Sequence, residues 1–332
     1  MREALSSESD ENKLVREISM LQNMDHPFIS RLFDTKKTST SYTIVMEYAC
    51  NGTLSSLLEK YKCLNEDISK KFFAQIVSAL DYIHKVRHVV HRDLKADNIV
   101  LDSNNNIRLI DFGLSNSFTT KSPDLKTKVG TPYYVAPEVI KDEKYNSAAD
   151  IWSLGVLLCK MITGNFPFVG KTRNEVLTNI LYKAPNIPRN ISLNAQDLLR
   201  RLLEKDHNQR IKLEEIKQHK WIANSKYSEI LKYNFSKDYK FKIRNDLVDP
   251  IVANQIKELG YDIDQLNIYL KNNEENEIMA LYRMLRTNEI TNELDKFMKQ
   301  IENNMNENFE MFNSELKRNF RIRTLDRVGS GN

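Results

Sequence analysis

The order of three short segments in the middle of the chain constrains its fold more than any other feature. HRDLKADN occupies residues 91–98, DFG occupies residues 111–113 and APE occupies residues 136–138. The apolar run DIWSLG follows at residues 150–155, and Arg210 stands near the end of the same region. One such segment alone would be a weak motif, but the whole set in one order leaves coincidence negligible.

The spacing of apolar residues predicts a chain of mixed helices and strands. Helical spacing covers residues 9–24 and 66–86, and Asn65 is the expected N-cap of the second helix. Two β-like runs, at residues 28–35 and 41–48, predict a hairpin. The buried stripe of the helix at 66–86 is expected to consist of Ile68, Phe72, Phe73, Ile76, Leu80 and Ile83.

The second half of the chain reads as almost entirely helical. Residues 146–163 are apolar on nearly every side, which predicts a buried helix with Gly164 as its C-terminal stop. Shorter amphipathic helices are expected near residues 171–182, 194–204, 212–222, 250–259, 262–271 and 275–287.

Composition narrows the classes of function. The 49 Lys and Arg residues against 45 Asp and Glu give a net charge of +4, which is too small to favour a nucleic-acid partner. No apolar run reaches the roughly 20 residues of a transmembrane segment, and the polar start shows no signal peptide. Three cysteines without metal-like spacing indicate reduced thiols. A cytoplasmic protein is therefore expected, with a nuclear location left open.

The ordered segments resemble the signature of eukaryotic Ser/Thr protein kinases. Among these kinases, the sequence resembles the AMP-activated and microtubule-affinity-regulating kinases of the calcium/calmodulin-dependent-kinase-like group. The resemblance implies an α+β protein-kinase fold with a complete, mainly helical large lobe at residues 49–222. Residues 1–48 would form a remnant small lobe, made of the αC helix and a β-hairpin. The resemblance also implies that ATP and Mg²⁺ are the cofactors and that proteins are the substrates.

Phosphoryl transfer explains why these residue types occur together. By resemblance, Asp93 accepts the proton of the substrate hydroxyl, and Lys95 reaches the γ-phosphate as a point charge. Asn98 and Asp111 offer oxygen ligands, which suit Mg²⁺. The order Asp-Leu-Lys-x-x-Asn favours Ser/Thr kinases over tyrosine kinases.

The segment VMEYA at residues 45–49 resembles the hinge that binds adenine in this family. The resemblance makes Met46 the gatekeeper and Val100 the floor of the nucleotide pocket. Backbone groups of Glu47 and Ala49 would bond the adenine. An ordinary core role for Met46 and Val100 is compatible with these roles.

The resemblance also implies regulatory and substrate-docking positions. Thr127 matches an activation-loop phosphosite for an upstream activating kinase, and Arg92 would receive the added charge. Glu17 matches the αC glutamate that pairs with a lysine of the third strand. Thr131 and Asp97 would contact protein substrates, with Asp97 favouring basic residues upstream of the target.

Two sets of matches have a structural role. Glu138 and Arg210 resemble the buried ion pair of the family, where loss of one partner typically costs about 3–5 kcal/mol. The stacked hydrophobic spine of the active state is matched by Leu21, Leu32, His91 and Phe112.

The Gly-rich loop and the lysine of the third strand have no counterpart in this sequence. The first glycine is Gly52, and a backbone that wraps phosphates closely needs glycine because any Cβ obstructs the approach. None of the residues before Glu17 reads as the lysine-bearing strand. The hairpin is therefore expected to expose an unpaired edge, which is an aggregation liability.

Two hypotheses follow from this departure. The first is an enzyme whose N-terminal piece is missing from a truncated gene model or fragment, and the intact catalytic set favours it. The second is a catalytically inactive pseudokinase that acts as a scaffold, and the missing loop and lysine favour it.

The C-terminal third predicts a small helical module. Residues 251–286 resemble the three-helix ubiquitin-associated-like or autoinhibitory module of the same kinases, with Gly260 in a left-handed turn. The module is assigned to residues 249–289, is expected to pack on its own kinase domain, and follows a linker at 223–248. The polar tail at 290–332 carries apolar residues at helical spacing. It is either a surface helix that packs on its own chain or a partner-binding helix.

Overall fold

The computed structural model describes a defined part of the chain. Its backbone covers residues 2–4, 15, 18–22, 24–38, 41–112, 116–117, 132–143, 146–242, 248–272, 274 and 276–325. Side chains are described within these ranges except at residues 2–4, 116–117, 239 and 304–325. The predicted sites Glu17, Thr127 and Thr131 lie outside the described residues.

A three-stranded antiparallel sheet forms the N-terminal end. Strand β1 (Arg2–Ala4) pairs with β3 (Ser41–Met46), which pairs in turn with β2 (Leu32–Lys37). The predicted hairpin is therefore confirmed. The predicted free edge of β3 is covered over Ser41–Thr43 by residues 2–4, while β2 is the outer strand on the other side of the described sheet. Backbone pairing needs no side-chain pattern, so the polar start of the chain gave no signal of this strand.

Two helices lead from this sheet into the main body. Helix α1 (Leu54–Tyr61) starts at Thr53, whose side chain accepts from the Ser56 N–H. Helix α2 (Glu66–Lys85) starts at Asn65, as predicted, and its side chain accepts from the Ile68 N–H. Most of the expected apolar stripe of α2 is buried, but Ile68 is 41% exposed.

Four short strands follow α2 and carry the signature segments. Strand β4 (Val89–Val90) pairs with β7 (Asn116–Ser117), and β5 (Ile99–Leu101) pairs with β6 (Ile107–Leu109). A 3₁₀ turn at Ala96–Asn98 leads into β5. The residues at 91–98 and 111–112 therefore lie next to each other, before the start of β5 and after the end of β6.

Helix α4 (Ala148–Thr163) is buried along nearly its whole length, as its composition predicts. Gly164 ends it with a φ of 75°. Gly155 lets a neighbouring helix come close, since a Cβ at this position would lie 2.8 Å from Leu202 Cβ. The surrounding helices are α3 (Pro137–Ile140), α5 (Arg173–Tyr182), α6 (Leu193–Leu202), α7 (Leu213–Gln218) and α8 (Lys220–Ala223).

The stretch predicted as a linker at 223–248 packs against the rest of the protein along most of its described length. It contains helix α9 (Ser228–Lys232) and a 3₁₀ turn at Tyr239–Phe241. Phe235 and Phe241 are buried, and the Phe235 ring lies 5.5 Å from the His26 ring. These buried aromatic rings anchor the stretch to the core.

The C-terminal region contains three helices, as predicted, but the third is much longer than expected. Helices α10 (Pro250–Glu258) and α11 (Ile263–Asn272) flank Gly260, which has a φ of 88°. Helix α12 (Glu277–Leu325) is 49 residues long and fuses the third module helix with the tail. No Gly or Pro interrupts the sequence between its ends, so nothing local stops the helix.

Helix α12 packs on its own chain over residues 290–301, as the first of the two interpretations of the tail predicts, and the side chains of residues 304–325 lie outside the described part. Its buried side chains include Ile290, Leu294, Met298 and Ile301, at helical spacing. Arg283 donates to the Phe33 carbonyl at 3.0 Å, and Lys71 lies 3.6 Å from Glu302. The helix thus contacts both the N-terminal sheet and α2. Across the described ranges, no helix is long and apolar enough to cross a membrane.

His26 sits in the core where the sheet, α2 and the 223–248 stretch meet. Its Nδ1 accepts from the Phe28 N–H at 3.3 Å, and its ring stacks on Tyr82 at 5.1 Å. Burial, with smaller contributions from Arg31 and Arg108, lowers the pKa of His26 from 6.5 to about 3. The folded protein therefore keeps this ring neutral, while the unfolded chain takes up a proton near its ordinary pKa.

The stability that His26 contributes should be complete above about pH 6.5 and be lost as the pH falls toward about 3. The variant His26→Asn keeps an acceptor for the Phe28 N–H but cannot titrate. We expect it to reduce the slope of unfolding free energy against pH by up to about 1.4 kcal/mol per pH unit. Burial also lowers the pKa of His91, so part of the slope should remain.

Urea unfolding at a series of pH values between 4 and 7 measures this slope. His88→Asn is the matched control, because His88 is exposed and has a φ of 54°, where Asn is well tolerated. A His26→Asn slope equal to that of the unchanged protein would contradict the assignment.

Candidate active site

Asp150, near the start of the buried helix α4, holds the segment at 91–98 in place. Its carboxylate accepts from the backbone N–H groups of His91 at 2.9 Å and Arg92 at 3.0 Å. His84 Nε2 lies 2.8 Å from the same carboxylate. Burial alone would raise the pKa of Asp150, but the contacts with His84, His91 and Arg92 lower it, which keeps the carboxylate ionised.

The sequence motifs did not identify Asp150 as a functional residue. The run DIWSLG was interpreted only as a buried helix. The sequence did hold a signal for this role, since Asp150 is the one acidic residue of a helix that is otherwise almost entirely apolar. A buried carboxylate needs hydrogen-bond donors, so it can be expected to hold nearby backbone groups.

Three of the predicted catalytic residues lie in direct contact. Lys95 Nζ is 2.7 Å from Asp93 Oδ2. Asn98 Nδ2 donates to the same Oδ2 at 3.0 Å and to the Asp93 carbonyl at 2.8 Å. Both side-chain contacts fall on Oδ2, so Oδ1 is the oxygen that could accept a proton from a hydroxyl group. The Asp93 side chain is 20% exposed, which suits a group that must meet an external substrate.

Asp111 is linked to this cluster through the backbone of its neighbour. The Ile110 N–H donates to the Asn98 carbonyl at 3.0 Å, which ties the end of β6 to the start of β5. Asp111 itself is exposed, while Phe112 is buried with its ring 4.9 Å from that of His91. The structure therefore directs the carboxylate outward and the aromatic ring inward.

Two backbone conformations in this region are unusual for their residue types. Arg92 has a φ of 69° and Asp111 has a φ of 64°. Non-glycine residues with positive φ are uncommon and often occur at functional sites, where the surrounding structure enforces them. Here the Asp150 carboxylate holds Arg92, and the buried Phe112 ring anchors Asp111.

The donor set suits a magnesium nucleotide. Asn98 uses its amide nitrogen on Asp93, which leaves its amide oxygen for a cation, and Asp111 adds a carboxylate. Among the residues described, no group of three His, Cys, Asp or Glu side chains could hold a metal ion by itself. Mg²⁺ at phosphate sites commonly takes one or two carboxylates and completes its shell with phosphates and water, so Asn98 and Asp111 are chemically suitable ligands for it.

The predicted nucleotide-pocket residues lie where the N-terminal sheet joins the main body. Met46 ends β3 and packs partly buried against the core. The Glu47 N–H donates to the Arg31 carbonyl at 2.8 Å, and Ala49 is half-buried. Val100 is half-buried in β5, opposite Arg108 of β6.

The remaining predicted positions divide between surface and core. Asp97 is exposed beside the catalytic residues, where a protein substrate could reach it. Glu138 and Arg210 form a bidentate pair at 2.7 and 2.9 Å, with side chains only 1% and 0% exposed. Arg210 also donates to the carbonyls of Glu204 and Ala148, so its guanidinium joins three elements.

Breaking the Glu138–Arg210 pair should destabilise the fold strongly. The variant Arg210→Met would leave the Glu138 carboxylate buried without a cation. We expect its free energy of unfolding to fall by about 3–5 kcal/mol in a urea titration.

Lys232→Met is the control, because it breaks an exposed pair with Glu229 and should change stability little. An Arg210→Met protein as stable as the unchanged one would show that the buried pair does not support the fold.

Comparisons with known proteins agree with this geometry. Residues 1–222 match the family model described as protein kinase domain. The SNF-related serine/threonine-protein kinase of Homo sapiens is 36% identical over 279 residues, covering 82% of this chain and 36% of that protein. The carbon catabolite-derepressing protein kinase of Candida glabrata is 32% identical over 322 residues, covering 90% of this chain and 52% of that protein.

A third relative is the SNF1-like protein kinase ssp2 of Schizosaccharomyces pombe. It is 34% identical over 298 residues, covering 88% of this chain and 49% of that protein. The chain therefore spans between 36% and 52% of the length of these three relatives.

Proposed function

Since the chain belongs to the protein kinase family, we propose that it transfers the γ-phosphate of ATP to Ser and Thr hydroxyls of protein substrates. The names of its relatives support Ser/Thr specificity. The contact set around Asp93 carries the proposal, because it combines a proton acceptor, a cation and a magnesium-type ligand within hydrogen-bond distance.

Each residue has a task that follows from its position. Asp93 Oδ1 accepts the hydroxyl proton, and Lys95 and Asn98 hold Oδ2 so that the carboxylate cannot rotate away. Lys95 also brings positive charge to the phosphate side of the site. Bound Mg²⁺ would neutralise phosphate charge, with Asn98 and Asp111 as its protein ligands. The backbone of Glu47 and Ala49 would position the adenine.

The decisive experiment is phosphate transfer from labelled ATP to a Ser/Thr peptide library by the protein and by Asp93→Asn. The substitution keeps the shape of the side chain but removes its ability to accept a proton. We expect the rate to fall by roughly 10²–10⁴-fold, the usual worth of a general base.

Asp264→Asn, on the exposed face of α11, is the matched control and should transfer phosphate normally. Equal rates for Asp93→Asn and the unchanged protein would refute the assignment of Asp93.

A catalytically inactive scaffold is the second candidate. The observation behind it is that the given residues contain no G-x-G-x-x-G segment. The two candidates separate in the same assay, because a scaffold would show no transfer that depends on Asp93.

We extend the proposal to regulation and organisation. Residues 1–48 would serve as the small lobe, and residues 249–289 as a ubiquitin-associated-like module packed on its own kinase domain. The Arg283 contact with Phe33 and the ion pair between Lys36 and Glu277 support such docking. The reduced cysteines favour a cytoplasmic location.

An upstream kinase would act at Thr127, with Arg92 receiving the phosphate. Thr127→Ala should then prevent activation and leave the rate roughly tenfold or more below that of the activated protein, because a charge-assisted hydrogen bond is lost. Phosphate transfer before and after treatment with an activating kinase measures this, with Thr120→Ala as control. Full activation of Thr127→Ala would exclude this site.

A further inference from the structure

Glu47 lies in the proposed hinge, and its side chain is fixed by hydrogen bonds from Arg108 and from the Arg31 backbone. Its Oε1 accepts from Arg108 Nε at 2.8 Å, and its Oε2 accepts from the Arg31 N–H at 3.2 Å. Its own N–H donates to the Arg31 carbonyl. The Glu47 side chain is 9% exposed and that of Arg108 is 1% exposed, so the pair is nearly dry.

Arg108 connects this carboxylate to the strands of the catalytic region. It lies in β6, directly opposite Val100 of β5 and three residues before Asp111. One terminal nitrogen of its guanidinium lies 3.0 Å from Asp102 Oδ2, in the turn between the two strands. Asp102 is fixed in its turn, since its Oδ1 accepts from the N–H groups of Asn104 and Asn106 at 2.9 and 2.8 Å.

A single rigid guanidinium therefore joins the segment that would hold adenine to the strand that delivers Asp111. Stability does not account for this choice, because a buried ion pair is often no better than apolar residues of the same volume. The hydrogen bond from Arg108 Nε to Glu47 Oε1 is directional and fixes relative orientation in a way that apolar packing does not, while the contact of Arg108 with Asp102 is a charge pairing at 3.0 Å.

From this geometry we propose that Arg108 and Glu47 form a positioning brace for the nucleotide. The brace, defined as the Glu47–Arg108–Asp102 contacts, sets the distance between the proposed hinge and the Asn98–Asp111 pair. This inference rests on the proposed kinase function and adds two positioning residues that do not themselves need to touch the phosphates.

If the brace positions the nucleotide, breaking it should raise the KM for ATP and leave the KM for the peptide unchanged. In Glu47→Gln the charge is lost while the shape remains, so the hinge should lose its fixed position. We expect the KM for ATP to rise about tenfold, while kcat at saturating ATP and the KM for peptide each change less than twofold. A merely structural role would lower the melting temperature but leave the ATP KM of the folded protein unchanged.

A double-variant cycle separates the brace from independent effects. Arg108→Gln should raise the ATP KM as Glu47→Gln does, and the two together should raise it no more than either alone. Arg108→Lys keeps the charge but cannot reach Glu47 and Asp102 at once, so its ATP KM should fall between those of the unchanged protein and Arg108→Gln.

Arg201→Met is the control, because it removes an exposed arginine paired with Asp197 and should leave the ATP KM unaltered. Additive effects in the double variant, or unchanged ATP KM values in the single variants, would overturn the proposal.

Calorimetric titration with Mg·ATP keeps this test distinct from that of the proposed function. A protein that binds Mg·ATP but transfers no phosphate would refute the kinase assignment. The brace would then be tested by the dissociation constants for Mg·ATP of the same variants, which should rise as the KM values are predicted to do. A correctly folded protein that binds no Mg·ATP would overturn the brace itself.

Discussion

The geometry of the candidate site depends on one buried negative charge. Asp150 sits in the most apolar helix of the protein, where an isolated carboxylate would be very costly. It is tolerated because His84 and the backbone of His91 and Arg92 supply donors. The same contacts force the chain into the unusual conformation from which Asp93 emerges. The core thus sets the position of the segment at 91–98 that carries the candidate catalytic residues.

A second principle is that the residues of the candidate catalytic set are linked to one another by direct contacts. Asp93 Oδ2 is shared by Lys95 and Asn98, so the orientation of the carboxylate, the ammonium group and the amide depend on one another. Asp111 joins through the backbone contact between Ile110 and Asn98. For the proposed reaction, such electrostatic preorganisation would leave little to rearrange on substrate binding.

Sequence patterns predicted the parts of the molecule that local rules determine. The cap at Asn65, the left-handed glycines and the apolar helix α4 follow from propensity and periodicity. Strand β1 could not be predicted, because pairing by backbone groups leaves no side-chain signature. The Glu47–Arg108 contact was equally hidden, since 61 residues separate its partners and each looks like an ordinary surface charge. Only the packed structure reveals that both are buried.

The unbroken helix at the C-terminus has a consequence for molecular shape. At about 1.5 Å per residue, its 49 residues span about 74 Å. A compact body the size of the 222-residue matched region has a radius of gyration of about 17 Å, hence a diameter of roughly 45 Å. A straight rod of that length cannot be contained within such a body, whatever its orientation. The protein must therefore tumble in solution as an elongated particle, with a hydrodynamic radius larger than its mass alone implies.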